Sequence, residues 1–377
     1  MRKIKVLQVN KLYHPFTGGV ERVVQQIAEG LQDDVNMKVL VCNEQKESVS
    51  ETINGVKIHR SGSLGMLGNM PVSLKFIFDL RKAAKDADII QFHMPFPIGD
   101  LAGLLSGFNG KIVLWWHSDV VRQKKMMILY KPVMEMFLKR ANAIIVATQG
   151  HIDGSQYLKP YVNKCVIIPY GVDPAIEKKA DEWFEKTKNR TEEKKDTPVT
   201  FLFVGRLVYY KGCKILLKAF RKVKNARLIM IGSGVMEREL KELAVSYGVR
   251  DRVVFTGNVS DEKLERYFAE CDVFVLPSIV RSEAFGLVQI EAMAYGKPVI
   301  NTNLPSGVPY VSIHKETGLT VEPENAGELA KAMQWMVDHP KERIEMGNRA
   351  RLRVKEKYQM SEMIKNVYDL YKRLKDW

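Results

Sequence analysis

Short apolar runs alternate with helical-period stretches along the first half of the chain, and after one interruption the alternation begins again. Residues 6–9 read as a buried strand, followed by a loop with His14, Pro15, Gly18 and Gly19 and a helix from Glu21 to about Leu31. Further apolar runs at 38–42, 88–92, 112–116, 143–147 and 166–168 predict strands, separated in part by helices over 72–84 and 131–140. Pro169-Tyr-Gly-Val-Asp173 breaks the rhythm, and the Lys/Glu-rich residues 177–196 read as a solvated connector with one helix around 180–188. Strands resume at 199–204, 227–231, 253–256, 273–276, 299–301 and 318–321, and helices over 326–339, 341–357 and 361–375 close the chain. Strands alternating with helices build parallel, doubly wound sheets. The expected fold class is α/β, with two Rossmann-like domains at residues 1–172 and 198–357 joined by a connector at 173–197. Such sheets bind ligands at the carboxyl ends of their strands.

The richest local pattern is Ser282-Glu-Ala-Phe-Gly-Leu-Val-Gln-Ile-Glu-Ala-Met-Ala-Tyr-Gly-Lys-Pro298. Gly286 gives a side-chain-free entry to a helix over 287–295, Gly296 sits where a left-handed cap belongs, and Pro298 blocks continuation. The unpaired N–H groups at such a helix start, around Phe285, Gly286, Leu287 and Val288, favour a phosphate. Glu283 falls just before that anion site and Glu291 about a turn and a half beyond it. Phosphates flanked by hydroxyl-rich groups, as in a sugar nucleotide, fit this layout.

Other candidates fall in loops that follow strands. Val204-Gly-Arg-Leu-Val-Tyr-Tyr-Lys-Gly212 puts Arg206 and Lys211 where a guanidinium and an ammonium can grip a diphosphate. Together they could substitute for a metal ion. Gly18-Gly19 lets the backbone approach a ligand closely. His117 ends one strand of the first domain and His93 the preceding one. Gly232-Ser-Gly234 and Gly257-Asn258-Val259 follow two strands of the second. Asp86-Ala-Asp88 imitates a metal-binding D-x-D, but it falls on the opposite edge of the sheet, and no cluster has zinc spacing.

These motifs resemble the E-x7-E signature and glycine loop of the retaining GT-B glycosyltransferases, in particular the large GT4-like family. The resemblance runs from the first strand to the last helix. It implies two Rossmann-like domains facing a central cleft, with the terminal helix, residues 358–377, packing back on the first. By the same resemblance Arg206 and Lys211 hold the donor diphosphate, His117 lies against the donor sugar, and Glu283 accepts its hydroxyl hydrogen bonds. Glu291 chelates the ribose, Gly18 and Gly19 meet the diphosphate and sugar, and Gly232, Asn258 and Val259 border the base. The residues 302–310 and His314-x-x-Thr-Gly-Leu319 look like bacterial mannosyl- and rhamnosyltransferases of surface polysaccharide synthesis. GDP-mannose is the favoured donor, with a UDP-hexose or UDP-N-acetylhexosamine as alternative, and a lipid-linked saccharide the expected acceptor. No metal or other cofactor is implied.

Composition narrows the setting. Hydrophobic residues at 46% and charged residues at 27% suit a soluble globular chain, and 377 residues suit two cores. Four cysteines without metal-ligand or paired spacing imply a reducing compartment. No apolar run is long enough to span a bilayer, which places the protein in the cytosol or on the cytosolic face of a membrane. The net charge is +14, and residues 101–140 hold seven basic and two acidic side chains. Arg122, Lys124, Lys125 and Lys131 there flank the apolar residues 126–129, as expected of contact with anionic lipid. A nucleic-acid partner is not expected, since no basic motif is interleaved with aromatics. Rival readings are a glycosidase using paired carboxylates, a sugar-nucleotide epimerase of the same fold, and a non-catalytic surface binder.

Overall fold

A computed structural model of the protein describes residues 2–16, 18–67, 70–120, 124–187 and 197–376. Its contacts divide the chain into two compact units. Unit 1 comprises Met1–Pro169 with Ser361–Trp377, and unit 2 comprises Tyr170–Met360.

Unit 1 contains strands β1 (Lys5–Val9), β2 (Asn36–Cys42), β3 (Val49–Ile53), β4 (Val56–Ser61), β5 (Met66–Leu67), β6 (Met70–Pro71), β7 (Ile89–Met94), β8 (Lys111–Trp116), β9 (Ala143–Val146) and β10 (Cys165–Ile167). Eight of them form one sheet in the order β10-β9-β8-β7-β1-β2-β4-β3. All neighbours are parallel except β3, which runs against β4. That hairpin is absent from the sequence reading although its signal is present: Asn54-Gly55 takes φ of 47° and 84°, the two positive values that a tight hairpin turn requires. β5 and β6 pair separately.

The helices of unit 1 are α1 (Gly19–Gly30), α2 (Lys75–Ala84), α3 (Pro97–Leu105), α4 (Lys124–Arg140) and α5 (Gln149–Gly154). α2 starts three residues later than expected because the Ser73 hydroxyl accepts from the Phe76 N–H at 3.1 Å. α4 runs a further seven residues toward its N-terminus than expected, with Pro132 inside it. Val9, Phe92, Trp116, Met134 and Phe137 lie in the core between sheet and helices.

Unit 2 holds a six-stranded, all-parallel sheet in the order β13-β12-β11-β14-β15-β16. Its strands are β11 (Val199–Val204), β12 (Ala226–Ile231), β13 (Val253–Gly257), β14 (Val273–Leu276), β15 (Val299–Thr302) and β16 (Gly318–Val321). Its helices are α6 (Pro174–Thr187), α7 (Cys213–Phe220), α8 (Glu237–Ser246), α9 (Asp261–Glu270), α10 (Val288–Ala294), α11 (Val308–Val311), α12 (Ala326–Asp338) and α13 (Pro340–Lys357); α14 (Met360–Lys375) ends the chain. Phe201, Phe203, Leu217, Met230, Val275 and Met333 sit in its core. Both units thus carry the doubly wound α/β architecture.

The expected connector is corrected in part. Its first half is α6, which belongs to unit 2: Ala180 is buried, Asp181 pairs with Arg351 and Lys355, and the Arg351 guanidinium lies 4.1 Å from the Phe184 ring centroid. Its composition is dominated by Lys and Glu, yet Ile176, Ala180, Trp183 and Phe184 are buried or half-buried, and ion pairs flank them. Residues 188–196 lie outside the described residues. Among the described residues no helix is long and apolar enough to cross a membrane. The four cysteines are free, and burial pushes the thiols of Cys42, Cys213 and Cys271 up to about 12.

Candidate active site

In unit 2 the strand order reverses between β11 and β14, which are neighbours in the sheet. Open α/β sheets bind ligands at such a point. Arg206 and Lys211 follow β11, while Ser278 and Glu283 follow β14. Gly212 makes the approach of the two loops feasible. Its φ is +71°, and a Cβ there would stand 1.9 Å from the Pro277 carbonyl oxygen. The Ile279 N–H donates to the Tyr210 carbonyl at 2.8 Å. The Thr302 hydroxyl donates to the Ser278 carbonyl at 2.6 Å, and the Gly307 N–H to the Ala284 carbonyl at 2.6 Å, which ties the segment after β15 to the same place.

The result is a partly buried ion pair. Lys211 Nζ lies 2.5 Å from Glu283 Oε2, and these side chains retain only 13% and 10% of their exposure. Ser278 Oγ donates to the same carboxylate oxygen at 3.0 Å. Arg206 is exposed and donates to the Tyr210 hydroxyl at 2.7 Å. The Tyr210 ring also has the Arg206 and Lys211 charges 5.9 and 5.7 Å from its centroid, so one aromatic side chain steadies both cations. Tyr210 and Ser278 were not identified from sequence. Tyr210 stood inside the motif, but nothing in its spacing distinguishes it from Tyr209.

Adjoining loops are laced by backbone. Gly232 has φ +121°, and a Cβ on it would lie 2.2 Å from the Gly205 carbonyl oxygen. Its N–H donates to the Gly257 carbonyl at 2.9 Å. Asn258 is exposed and Val259 half-buried just beyond.

Gly286, at φ +71°, leads into α10, which has seven residues and no side-chain cap. One expectation changes here. Glu291 lies in the first turn of α10, half-buried, rather than a turn and a half along. Leu287 and Val288 form the start of this helix, next to the loop that carries Glu283. The Phe285 ring is buried against Tyr170 and Tyr358, at 4.9 and 5.8 Å between centroids. Its side chain anchors the loop.

In unit 1, His117 directly follows β8 and is buried, its ring parallel to those of Trp115 and His93. His93 Nδ1 lies 2.8 Å from His117 Nε2. His93 is 1% exposed and stands behind His117. Burial drives its pKa down to about 3, and burial with the neighbouring His93, His151 and Lys11 holds His117 well below the ordinary range, so both rings are neutral. Gly18 precedes α1 in an extended conformation, and a Cβ there would meet Glu21 Oε2 at 2.1 Å; Gly19 is exposed at the helix start.

Asp86 pairs with Lys5 and Lys38, and Asp88 accepts from the Lys5 N–H, so both sit at the amino end of the sheet, away from these loops. Among the described residues no group of three or more His, Cys, Asp or Glu side chains could hold a metal ion.

Two Rossmann-like sheets, one with cations and a carboxylate at its switch point, define a GT-B glycosyltransferase. Residues 17–176 match Glycosyltransferase Family 4 and residues 184–353 match Glycosyl transferases group 1. The chain is 33% identical to D-rhamnosyltransferase WbpZ of Pseudomonas aeruginosa over 94% of its own length and 92% of that protein's. It is 31% identical to the O-antigen chain mannosyltransferase C of Escherichia coli over 98% of each. Anabaena HepE, solved in complex with UDP, shares the fold at a TM-score of 0.79 and 17% identity, covering 98% of this chain and all (100%) of that one. The chain belongs to this glycosyltransferase family.

Proposed function

We propose that the protein moves a hexose, with retention at the anomeric carbon, from a nucleotide sugar to a saccharide acceptor in surface polysaccharide synthesis. The observation that carries this reading is the meeting of Arg206, Lys211 and Glu283 where β11 and β14 end side by side. In the transfer, the bond from the anomeric carbon to the diphosphate oxygen breaks and a bond to an acceptor hydroxyl oxygen forms. The acceptor proton passes to the departing phosphate oxygen. Arg206 and Lys211 take up the negative charge that develops there, assisted by the N–H groups of Gly286 to Val288. Preorganised donors of this kind contribute about 10²–10³-fold each in rate.

The Lys211–Glu283 pair gives the step an order. An incoming diphosphate draws Lys211 away, and the released carboxylate accepts sugar hydroxyls and favours the oxocarbenium-like state. Glu291 takes the ribose hydroxyls, Gly232, Asn258 and Val259 border the base, and Gly18, Gly19 and His117 meet the sugar side. Two fixed cations make a metal ion unnecessary, so activity should survive chelation with EDTA.

GDP-mannose is the favoured donor, supported by the segment 302–310 and by the mannosyltransferase name of one relative. A lipid-linked acceptor fits the surface of α4, where Ile128 and Leu129 are 75% and 82% exposed beside Lys131, with Leu101 and Leu105 exposed on neighbouring α3. That pattern suits an anionic membrane face in the cytosol. Arg122 lies outside the described residues, as do the side chains of Lys124 and Lys125.

The test is a thermal-shift screen against GDP-, UDP- and dTDP-sugars, followed by product analysis with a polyprenyl-linked acceptor. Donor-induced stabilisation with a new α-linked product supports the reading. Hydrolysis of a free oligosaccharide without nucleotide, or an epimerised donor with no acceptor consumed, would replace it.

A further inference from the structure

Behind His117 lies a closed polar network that the transfer chemistry does not itself use. Tyr371, on α14, is fully buried, as are Gln8 on β1 and Gln91 and His93 on β7. A fully buried tyrosine hydroxyl and two amides deep in a parallel sheet are costly unless every donor and acceptor is matched. Here the hydroxyl and the two amides are linked in a single circuit. The Tyr371 hydroxyl donates to Gln91 Oε1 at 2.7 Å and accepts from Gln8 Nε2 at 3.1 Å. Gln91 Nε2 donates to Gln8 Oε1 at 3.3 Å.

The circuit has a consequence for the histidines. With Gln8 Nε2 committed to Tyr371, the atom that Gln8 turns to His93 is its carbonyl oxygen, 2.7 Å from His93 Nε2. An amide oxygen only accepts, so at this shorter contact His93 Nε2 carries the proton, and the 3.3 Å approach of Gln91 Nε2 to the same nitrogen is then no hydrogen bond. The ring is neutral, so His93 Nδ1 holds the lone pair. His117 Nε2, 2.8 Å from that lone pair, must in turn donate. We infer that Tyr371, acting from the last helix through Gln8, Gln91 and His93, fixes His117 as its Nε2–H tautomer, with Nδ1 the accepting nitrogen. Tyr371, Gln8, Gln91 and His93 are positioning residues. A hydroxyl that meets His117 at Nδ1 donates to it, whereas a carboxylate or carbonyl oxygen brought to that atom is repelled. The link to turnover rests on the reading that His117 meets the sugar; the tautomer does not.

The experiment is a long-range ¹H–¹⁵N correlation on the ligand-free full chain with ¹⁵N-labelled histidine, assigned by His93→Gln and His117→Gln. Both rings should give the Nε2–H pattern of a neutral imidazole between pH 6 and 8. The reverse circuit, with both amides turned over, would place the proton on Nδ1 of each ring, and that pattern would overturn the inference. Tyr371→Phe keeps the ring and deletes the hydroxyl. It should leave the protein folded, convert the single tautomer of His117 to a mixture, and lower turnover by about tenfold, the equivalent of one ordinary hydrogen bond, with donor KM changed by less than about twofold. An unaltered Nε2–H pattern in Tyr371→Phe would remove Tyr371 from the positioning role. If the tautomer shifts as expected while His117→Gln turns over normally, the network stands and the assignment of His117 to the sugar falls.

Discussion

Replacing Glu283 by glutamine tests the ion pair at the centre of unit 2. The amide keeps the shape and can still accept from Ser278 Oγ, which lies 3.0 Å from the carboxylate. It leaves the Lys211 charge, 13% exposed, without its partner at 2.5 Å. Removing one member of a buried pair costs about 3–5 kcal/mol, and the residual solvent contact here favours the lower end, about 3 kcal/mol. For a unit of this size that is a fall of about 6–12 °C in Tm. Lys211→Met strands the opposite charge and should cost a similar amount. The double variant buries no charge, so its loss should be smaller than the sum of the singles by at least about 2 kcal/mol. Urea unfolding followed by the fluorescence of each variant measures the cycle.

Binding supplies the second half of the prediction. Once Glu283 no longer holds Lys211, the nucleoside diphosphate competes with nothing for that ammonium. Glu283→Gln should therefore bind GDP or UDP at least as tightly as the parent, by calorimetry, while turnover falls by about 10²–10³-fold. Single variants that add within about 0.5 kcal/mol would refute the pair as an energetic unit. A tenfold weaker diphosphate affinity in Glu283→Gln would refute the exchange.

Tyr210→Phe removes the hydroxyl that accepts from Arg206 and retains the ring under both cations; nucleoside diphosphate affinity should drop about threefold to tenfold by calorimetry with Tm unchanged. Gly212→Ala forces a side chain into φ +71° and onto the Pro277 carbonyl, and should destabilise the protein by at least about 1–3 kcal/mol in a urea titration, with donor affinity lost alongside. Asp100 is fully buried against the Tyr130 hydroxyl, and burial raises its carboxyl to about 8. The native state then holds a proton that the unfolded chain has released, so this residue makes stability fall as pH rises from about 4 to about 8. Asp100→Asn should flatten that slope in chemical denaturation; an unchanged slope would count against the buried neutral acid.

Much of the architecture was written in local patterns. Short runs rich in β-branched and aromatic residues, such as Val199–Val204, read as strands buried on both faces, and their alternation with helices leaves few topologies. The cations after β11 and the carboxylate after β14 were legible for the same reason, since strand ends are where such a fold places its chemistry. What escaped was non-local or ambiguous. Helix α6 looked like solvent-exposed charge because its partners, Arg351 and Lys355, lie about 170 residues away in sequence. The pairing of Lys211 with Glu283 depends on β11 and β14 being neighbours, which spacing alone does not reveal. Tyr371 carried no signal at all: a tyrosine in an amphipathic helix reads as core, and only the packing of α14 brings its hydroxyl to Gln8 and Gln91. The hairpin of β3 and β4 is legible in Asn54-Gly55, whose residues both take positive φ.

The most direct measurement is a crystal structure of the full chain with GDP, or with whichever nucleoside diphosphate stabilises it most. The diphosphate is predicted to lie against Arg206 and Lys211, with the lysine turned from Glu283 and the ribose hydroxyls on Glu291. A nucleotide bound at any other strand edge, with the Lys211–Glu283 pair intact beneath it, would contradict the account.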